Sequence, residues 1–518
     1  PLPLAGGLRN PNPEHMPGSP TSTPYRIAVV GAGFSGLAAA IRVSDLAANA
    51  GRAIELRVFE SAGAVGGLVA TQRIGDYLVE RGADSFITNK PAGVEMCRRL
   101  GLESRLISTD PRFRQSFILS HGCPVPTPAG FQLIAPTRIR AFLKTPLLSW
   151  RGKKRVLAEP RIGVRRDGEE ESVAGFARRR FGDEAYERMI QPMVGGIYTG
   201  DLERLSLRAT FPRFEEMERQ YGSVLRGLRR QRTADASGAR YGLFVSLRGG
   251  MLELLEAMVA EVGASRLSLD ARVEQLSRNK SATWNAVVEG KSFEFDAVIL
   301  ALPAYHAASL VSSIDAELAG QLAEIEYSSS AIVVSGHRLA DVRHPLNGAG
   351  LVIPHVEKRR ILAVSFASRK FPGRAAEGRV ILRTFLGGAL QGDQLSQDDD
   401  ALKRTVLDEL ANILGVSGVA DFCEVVRYSR GIPQFVIGHR DRVARIEDLV
   451  RKLPGLALAG NAYHGVGVPD AIQSGLNAAE AVWTGLTGQA AQNSIASFAP
   501  ARDDLADSGH HTAAGLSQ

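Results

Sequence analysis

The sequence predicts an α/β protein, α+β overall, in which a Rossmann-type dinucleotide-binding domain is joined to a substrate domain and a helical insertion. Three observations predict it. Residues 25–60 run strand, glycine turn, Ala-rich helix, second strand and acid, and residues 456–486 repeat the sequence of strand, glycine-rich turn and helix. Between them the texture becomes helical and then alternates strands with one long helix.

The first stretch is the more specific. Ile27 to Val30 is an apolar strand, Gly31-Ala32-Gly33-Phe34-Ser35-Gly36 is a G-x-G-x-x-G turn, and a second strand ends on Glu60. Gly31 permits the tight turn, Gly33 lets backbone approach a pyrophosphate, and Gly36 lets helix lie against strand. The helix N-terminus then offers free N–H groups to two phosphates. Glu60 suits a ribose diol and repels a 2′-phosphate, which argues for an FAD- or NAD-type adenosine.

Length and composition set the frame. The chain has 518 residues and a formal charge of +7, enough for about three domains of ~150 residues. The basic excess suits an anionic substrate, an acidic partner or an anionic membrane face, and equally a solvated basic surface. Cys97, Cys123 and Cys423 are scattered, with no disulfide framework or zinc spacing, which suits a reducing, cytoplasmic setting. The best apolar run, 297–311, contains Pro303 and His306 and is too short to span a bilayer. Residues 1–24 lack signal-peptide features and read as a disordered leader, with Met16 a candidate start. No nucleic-acid module is present.

In chain order, 25–110 reads as the first part of the nucleotide domain. It holds a hairpin at 69–80 turning at Gly75-Asp76, and a helix at 91–100. Residues 111–240 read as helical insertion and substrate domain, with helices at 176–188 and 214–229 and a mobile loop at 233–239. The nucleotide domain resumes over 241–305, with a helix at 251–262 and strands at 272–274 and 296–302. Residues 306–440 form a substrate domain, with strands at 331–335, 360–366 and 380–385 and a helix at 399–414. Residues 441–487 close the nucleotide domain, and 488–518 read as a disordered tail.

A chain that returns to the nucleotide fold at its end makes another cofactor contact, which an extended FAD needs and NAD rarely does. Pro469 suits the first position of the final helix and Asp470 its first turn. The glycines before them let that N-terminus approach a flavin ring and stabilise negative charge on its N1/C2 side upon reduction.

Four runs then carry a resemblance: Pro192-Met193-Val194-Gly195-Gly196-Ile197-Tyr198-Thr199-Gly200-Asp201, residues 246–250, Ile432-Pro433-Gln434-Phe435 with Gly438-His439, and residues 461–470. Together, over roughly 25–487, the chain resembles the FAD-dependent protoporphyrinogen/coproporphyrinogen oxidases of haem biosynthesis, relatives of the flavin amine oxidases. The resemblance implies a p-hydroxybenzoate-hydroxylase-like fold with a membrane-facing insertion. It also implies non-covalent FAD and a six-electron oxidation of a porphyrinogen in three flavin cycles, with oxygen reduced to hydrogen peroxide. Cofactor contacts are implied at Gly31, Ala32, Gly33, Phe34, Ser35, Gly36, Glu60, Ser61, Leu68, Gly82, Ala83, Asp84, Ser85, Val273, Val466, Gly467 and Val468. No obligatory protein base or metal is implied.

Related enzymes usually carry Arg where Ala64 stands, so a pyrophosphate counter-charge is absent at that position or supplied by another Arg. Lys90 matches a propionate-contacting Lys of the bacterial coproporphyrinogen type, or is an exposed Lys before a helix. Arg112 and Arg114 are weaker candidates for the substrate carboxylates, and His464 is read as a polar loop residue in preference to a base. The basic segment 151–180 and the helix at 214–229 are candidates for docking on anionic lipid, at the inner face of a membrane, or on a ferrochelatase-type pathway partner. The alternatives are a flavin amine oxidase or carotenoid desaturase, and a non-catalytic flavin- or porphyrin-binding protein motivated by Ala64.

Overall fold

The computed structural model describes residues 23–230 and 243–488. The expectations for the loop at 233–239 and for nearly all of the leader and tail lie outside these residues.

Around the first strand, five parallel strands form a sheet in the order Leu267–Ser268, Ile54–Phe59, Tyr25–Val30, Ala297–Leu300, Leu456–Leu458. The apolar runs of the central strands follow from cover on both faces. Ile27 and Val29 face the helices Phe34–Asn49, Leu252–Val262 and Val468–Thr487. Ala28 and Val30 face an antiparallel sheet, Val273–Arg278, Trp284–Val288 and Lys291–Phe295, whose Trp284 and Phe295 are buried. One sheet thus draws on strands from both ends and the middle of the chain.

The second body is a seven-stranded sheet in the order Phe422–Pro433, Tyr327–Arg338, Arg379–Gly387, Ala363–Phe366, Gly350–Val352, Ser116–Ser120, Cys123–Pro126. Helix Asp399–Leu414 covers one face through Leu402, Val406 and Leu410. Asp398 caps that helix on Ala401 N at 2.7 Å, so its start is where the sequence placed it.

Helices from Ile139–Lys144 to Val224–Arg230 form the third body, around Phe142, Phe176 and Phe214. Here the expected elements need correction. Before these helices, Ser116–Ser120 and Cys123–Pro126, for which no strands were expected, join the seven-stranded sheet. The helix expected over 176–188 stops at Phe181, because Gly182 turns to φ 89°, and the chain continues through a π-helical turn, Tyr186–Ile190. The helix expected over 214–229 is two helices, Pro212–Tyr221 and Val224–Arg230. Gly222 ends the first at φ 67°, and Ser223 Oγ accepts from Arg226 N at 3.1 Å to start the next.

Candidate cofactor and active site

The glycine turn is packed for two different reasons. A Cβ on Gly31 would lie 2.4 Å from the Ala301 carbonyl oxygen, and one on Gly36 would lie 1.8 Å from the Gly31 oxygen, so protein packing alone demands both glycines. Gly33 is different: a Cβ there meets nothing within 4 Å. Its small size leaves open backbone in front of a helix whose first turn has no side-chain cap and no acid. Uncapped N–H groups with open backbone before them fit a diphosphate.

Glu60 anchors this turn. Its Oε2 accepts from Ala32 N at 2.8 Å and its Oε1 from Ala62 N at 2.9 Å, with Ser61 Oγ at 3.4 Å. The Val273 segment is drawn beside it, since Ala271 N donates to the Glu60 carbonyl at 2.8 Å. Gly66 N donates to the Ala32 carbonyl at 3.0 Å, Leu68 is exposed, and a Cβ on Gly82 would lie 1.7 Å from the Leu68 oxygen. Ala64 sits in the same exposed loop. Residues 31–36, 60–68 and 82 are thus tied together at the carboxyl ends of the parallel strands, with Ala271 drawn in beside Glu60; such strand ends are where sheets of this kind bind ligands, and this face is the candidate cofactor trough.

The last helix extends this trough. It runs parallel to Phe34–Asn49, with Gly475 against Ser35 and Ala39, Glu480 paired to Arg42 at 2.7 Å, and Trp483 against Leu46. In that register Val468 begins four residues before the level of Phe34, a step on the order of 6 Å. Two helix N-termini set one turn apart suit an extended cofactor, with diphosphate at one and a ring at the other. Val466, Gly467 and Val468 form the outer of these ends, and Asp470 Oδ2 accepts from Gly467 N at 3.2 Å.

Asp84 is not a free cofactor ligand. Its carboxylate takes bonds from Lys370 Nζ at 3.0 Å and Ser85 Oγ at 2.7 Å and is paired with Arg383 at 3.0 Å. Burial alone would raise its pKa, but Lys370 and Arg383 hold it well below the usual carboxylate range. Sequence reading missed Lys370, Arg374, Arg383 and Glu80, which are all buried around this point. They contact residues more than 100 positions away, and no local pattern marks them.

Lys90 lies at the N-cap of helix Pro91–Arg99 and reaches Asp470 Oδ1 at 2.6 Å, which places it beside the first turn of the last helix. Arg112 is exposed and pairs with Asp110 at 2.7 Å, while Arg114 bonds Thr109. His464 is exposed and bonds Glu447 at 2.8 Å. His439 is buried instead, stacked on Phe435 at 4.0 Å, and burial pushes its pKa down to about 4.

The sequence runs around 192–201 and 432–439 converge on the end of the seven-stranded sheet. Gln434 Nε2 donates to the Tyr198 carbonyl at 3.1 Å and to Ser328 Oγ at 3.0 Å, and Thr199 Oγ1 lies 3.0 Å from Ser328 Oγ. Gly200 leaves room for Gln434, since a Cβ there would lie 2.3 Å from its Oε1. A cavity of about 480 Å³ opens beside this knot, between Ser328, Tyr428, Gly388 and Arg204. Among the described residues no group of His, Cys, Asp and Glu could hold a metal ion.

Comparison with known proteins identifies an FAD-dependent oxidoreductase. The chain matches the model of the flavin containing amine oxidoreductases over residues 34–483 and belongs to that family. It is 30% identical over 454 residues to the coproporphyrinogen III oxidase of Bacillus subtilis (87% of this chain, 96% of that protein). Over 515 residues it is 30% identical to the coproporphyrinogen III oxidase of Propionibacterium freudenreichii (93% and 94%). The mitochondrial protoporphyrinogen oxidase of tobacco is 27% identical over 494 residues (89% and 95%). Among solved structures, the cyclohexylamine oxidase of Brevibacterium oxydans shares the fold at TM-score 0.65, with 15% identity and coverage of 89% of this chain and 99% of that one.

Proposed function

We propose that this protein is an oxygen-dependent porphyrinogen oxidase of haem biosynthesis, converting coproporphyrinogen III to coproporphyrin III with release of hydrogen peroxide. The observation that carries the reading is the near-full-length similarity to two bacterial coproporphyrinogen III oxidases, joined to the Tyr198–Thr199–Ser328–Gln434 knot. Plant protoporphyrinogen oxidases match at 27–29% identity, which makes protoporphyrinogen IX the second reading.

Bound FAD supplies the two-electron oxidations and passes the electrons on to oxygen. The chain's part is to hold and orient. The glycine turn and the N-terminus of Phe34–Asn49 take the diphosphate, Glu60 and the Val273 backbone border the adenosine end, and the N-terminus of Val468–Thr487 faces the ring. That outer helix end places positive dipole density where negative charge grows on reduction. The residues named from 31 to 85, Val273 and 466–468 form this site, in a p-hydroxybenzoate-hydroxylase-like arrangement. The nucleotide domain spans 25–110, 241–305 and 441–487.

Lys90, half-exposed at the mouth, meets a substrate propionate by sharing its ammonium between that carboxylate and Asp470. Arg112 and Arg114 are more distant guides. Docking on anionic lipid belongs to the helical body, where Trp150 is 66% exposed among exposed Arg140, Lys144, Arg151 and Lys154. Among the described residues no helix is long and apolar enough to cross a membrane.

The test is porphyrin fluorescence growth in air with purified FAD-loaded protein, coproporphyrinogen III and protoporphyrinogen IX in parallel, corrected for autoxidation. Faster turnover of coproporphyrinogen III is expected. Preference for protoporphyrinogen IX would replace it with the second reading, and no enzyme-dependent signal with either would overturn both.

A further inference from the structure

Where the seven-stranded sheet meets the nucleotide domain, three buried cations meet two carboxylates, Glu80 buried and Asp84 mostly so. Lys370, Arg374 and Arg383 come from 367–387 of the sheet body, and Glu80 and Asp84 come from the trough wall. Arg374 donates to Ser246 Oγ at 2.7 Å and to the Leu247 carbonyl at 2.9 Å, and stands 3.6 Å from Glu80. Ser246 Oγ in turn donates to the Asp84 carbonyl at 2.7 Å. Arg383 is paired with the Asp84 carboxylate, bonds the Gly82 carbonyl with its other terminal nitrogen, and leaves Nε without a partner. Lys370 Nζ bonds Asp84 and, at 3.0 Å, Ser85 Oγ.

Burying such a set is costly, and ion pairs in a protein interior often add little net stability. What this set does supply is position. Every one of Gly82, Asp84 and Ser85 is held by a side chain from the other body, and Gly82 abuts the Leu68 carbonyl. The wall is therefore held partly by its own domain, through Ser246 and Leu68, and partly by side chains of the seven-stranded sheet.

We propose that Arg383, with Lys370, is a positioning residue of the FAD site: it reaches from the seven-stranded sheet to fix the Gly82–Ser85 wall, so cofactor affinity is set by a side chain of the substrate body. This rests on the reading of Gly82–Ser85 as a wall of the FAD trough. Two hydrogen bonds diverging from two nitrogens of one planar guanidinium are what the geometry uses, and a Lys of equal charge, with a single nitrogen, cannot reproduce that fixed spacing.

The experiment compares full-length Arg383→Lys with Arg180→Lys, both buried cations; Arg180 pairs with Glu159 inside the helical body. FAD dissociation constants come from titration of the apoprotein, melting temperatures from the apoprotein, and the flavin absorption spectrum from the reconstituted protein. Arg383→Lys is expected to weaken FAD by about 10-fold or more and to shift the bound-flavin spectrum, whereas Arg180→Lys lowers the melting temperature with FAD affinity within about 2-fold of the parent. Equal FAD affinity in the two variants would overturn the proposal. A third variant, Ala83→Phe, separates the underlying reading. If it leaves FAD affinity unchanged, the wall does not face the cofactor and the proposal falls with it; if it weakens FAD while Arg383→Lys does not, only the positioning role falls.

Discussion

Lys90 is the residue on which sequence and structure pull hardest against each other. Its neighbours in sequence allow either a substrate cation or a solvated side chain, and the structure gives it a carboxylate partner, Asp470. For the proposed substrate, Lys90→Ala removes one charge-assisted bond, worth about 1.5–3 kcal/mol, so KM should rise by roughly 10- to 100-fold with kcat little changed. Steady-state porphyrin fluorescence checks this. His439 gives a pH prediction. With a folded pKa near 4 and an unfolded value near 6.5, the unfolded chain binds the extra proton between those values. Stability is therefore fully present above pH 6.5, falls as pH drops towards 4, and loses up to about 3 kcal/mol from this group. His439→Asn should flatten that part of a melting-temperature profile against pH. Neither feature was legible beforehand, because burial of His439 depends on Phe435 and Tyr463 folding over it.

Elements were legible wherever the signal is local. The hairpin Thr71–Ile74 with Tyr77–Glu80 forms as its Gly75-Asp76 turn predicts, and helix Asp399–Leu414 begins at its Asp cap. Interruptions were not: Gly182 and Gly222 sit inside helical patterns, and only their positive φ shows that they end helices. The glycine turn offers the sharpest element-level test. Gly36→Ala drives a Cβ into the Gly31 carbonyl and should cost about 1–3 kcal/mol of apoprotein stability by overpacking. Gly33→Ala meets no protein atom, so the apoprotein should melt within a few degrees of the parent while FAD binding weakens about 10-fold or more. Equal effects of the two on apoprotein melting would refute the distinction drawn between them.

At the scale of the whole molecule, strands from both ends and the middle of the chain meet in one parallel sheet, as the returning α/β texture of the sequence suggests, whereas the Asp84–Lys370–Arg383 link has no local sign, its partners lying 286 or more positions apart. The helical body carries the remaining prediction. Its segment 138–166 has one acid, Glu159, and that acid is buried. Protein sedimented with vesicles rich in anionic lipid should be captured at low salt and released at high salt. Trp150→Ala should reduce capture several-fold, and equal capture by neutral vesicles would remove the electrostatic account.

The parallel sheet has one more consequence, which concerns time. Its central strand, Tyr25–Val30, pairs with Ala297–Leu300, and that strand in turn with Leu456–Leu458. During synthesis the first glycine turn leaves the ribosome hundreds of residues before the strand and helix that complete the sheet. Such long-range pairing makes folding slow and exposes the unfinished edge to misassembly. Completion of the sheet is thus a late event in the life of each chain, and a chain cut short before Leu456 would carry the whole first turn yet lack the sheet edge and the outer helix end.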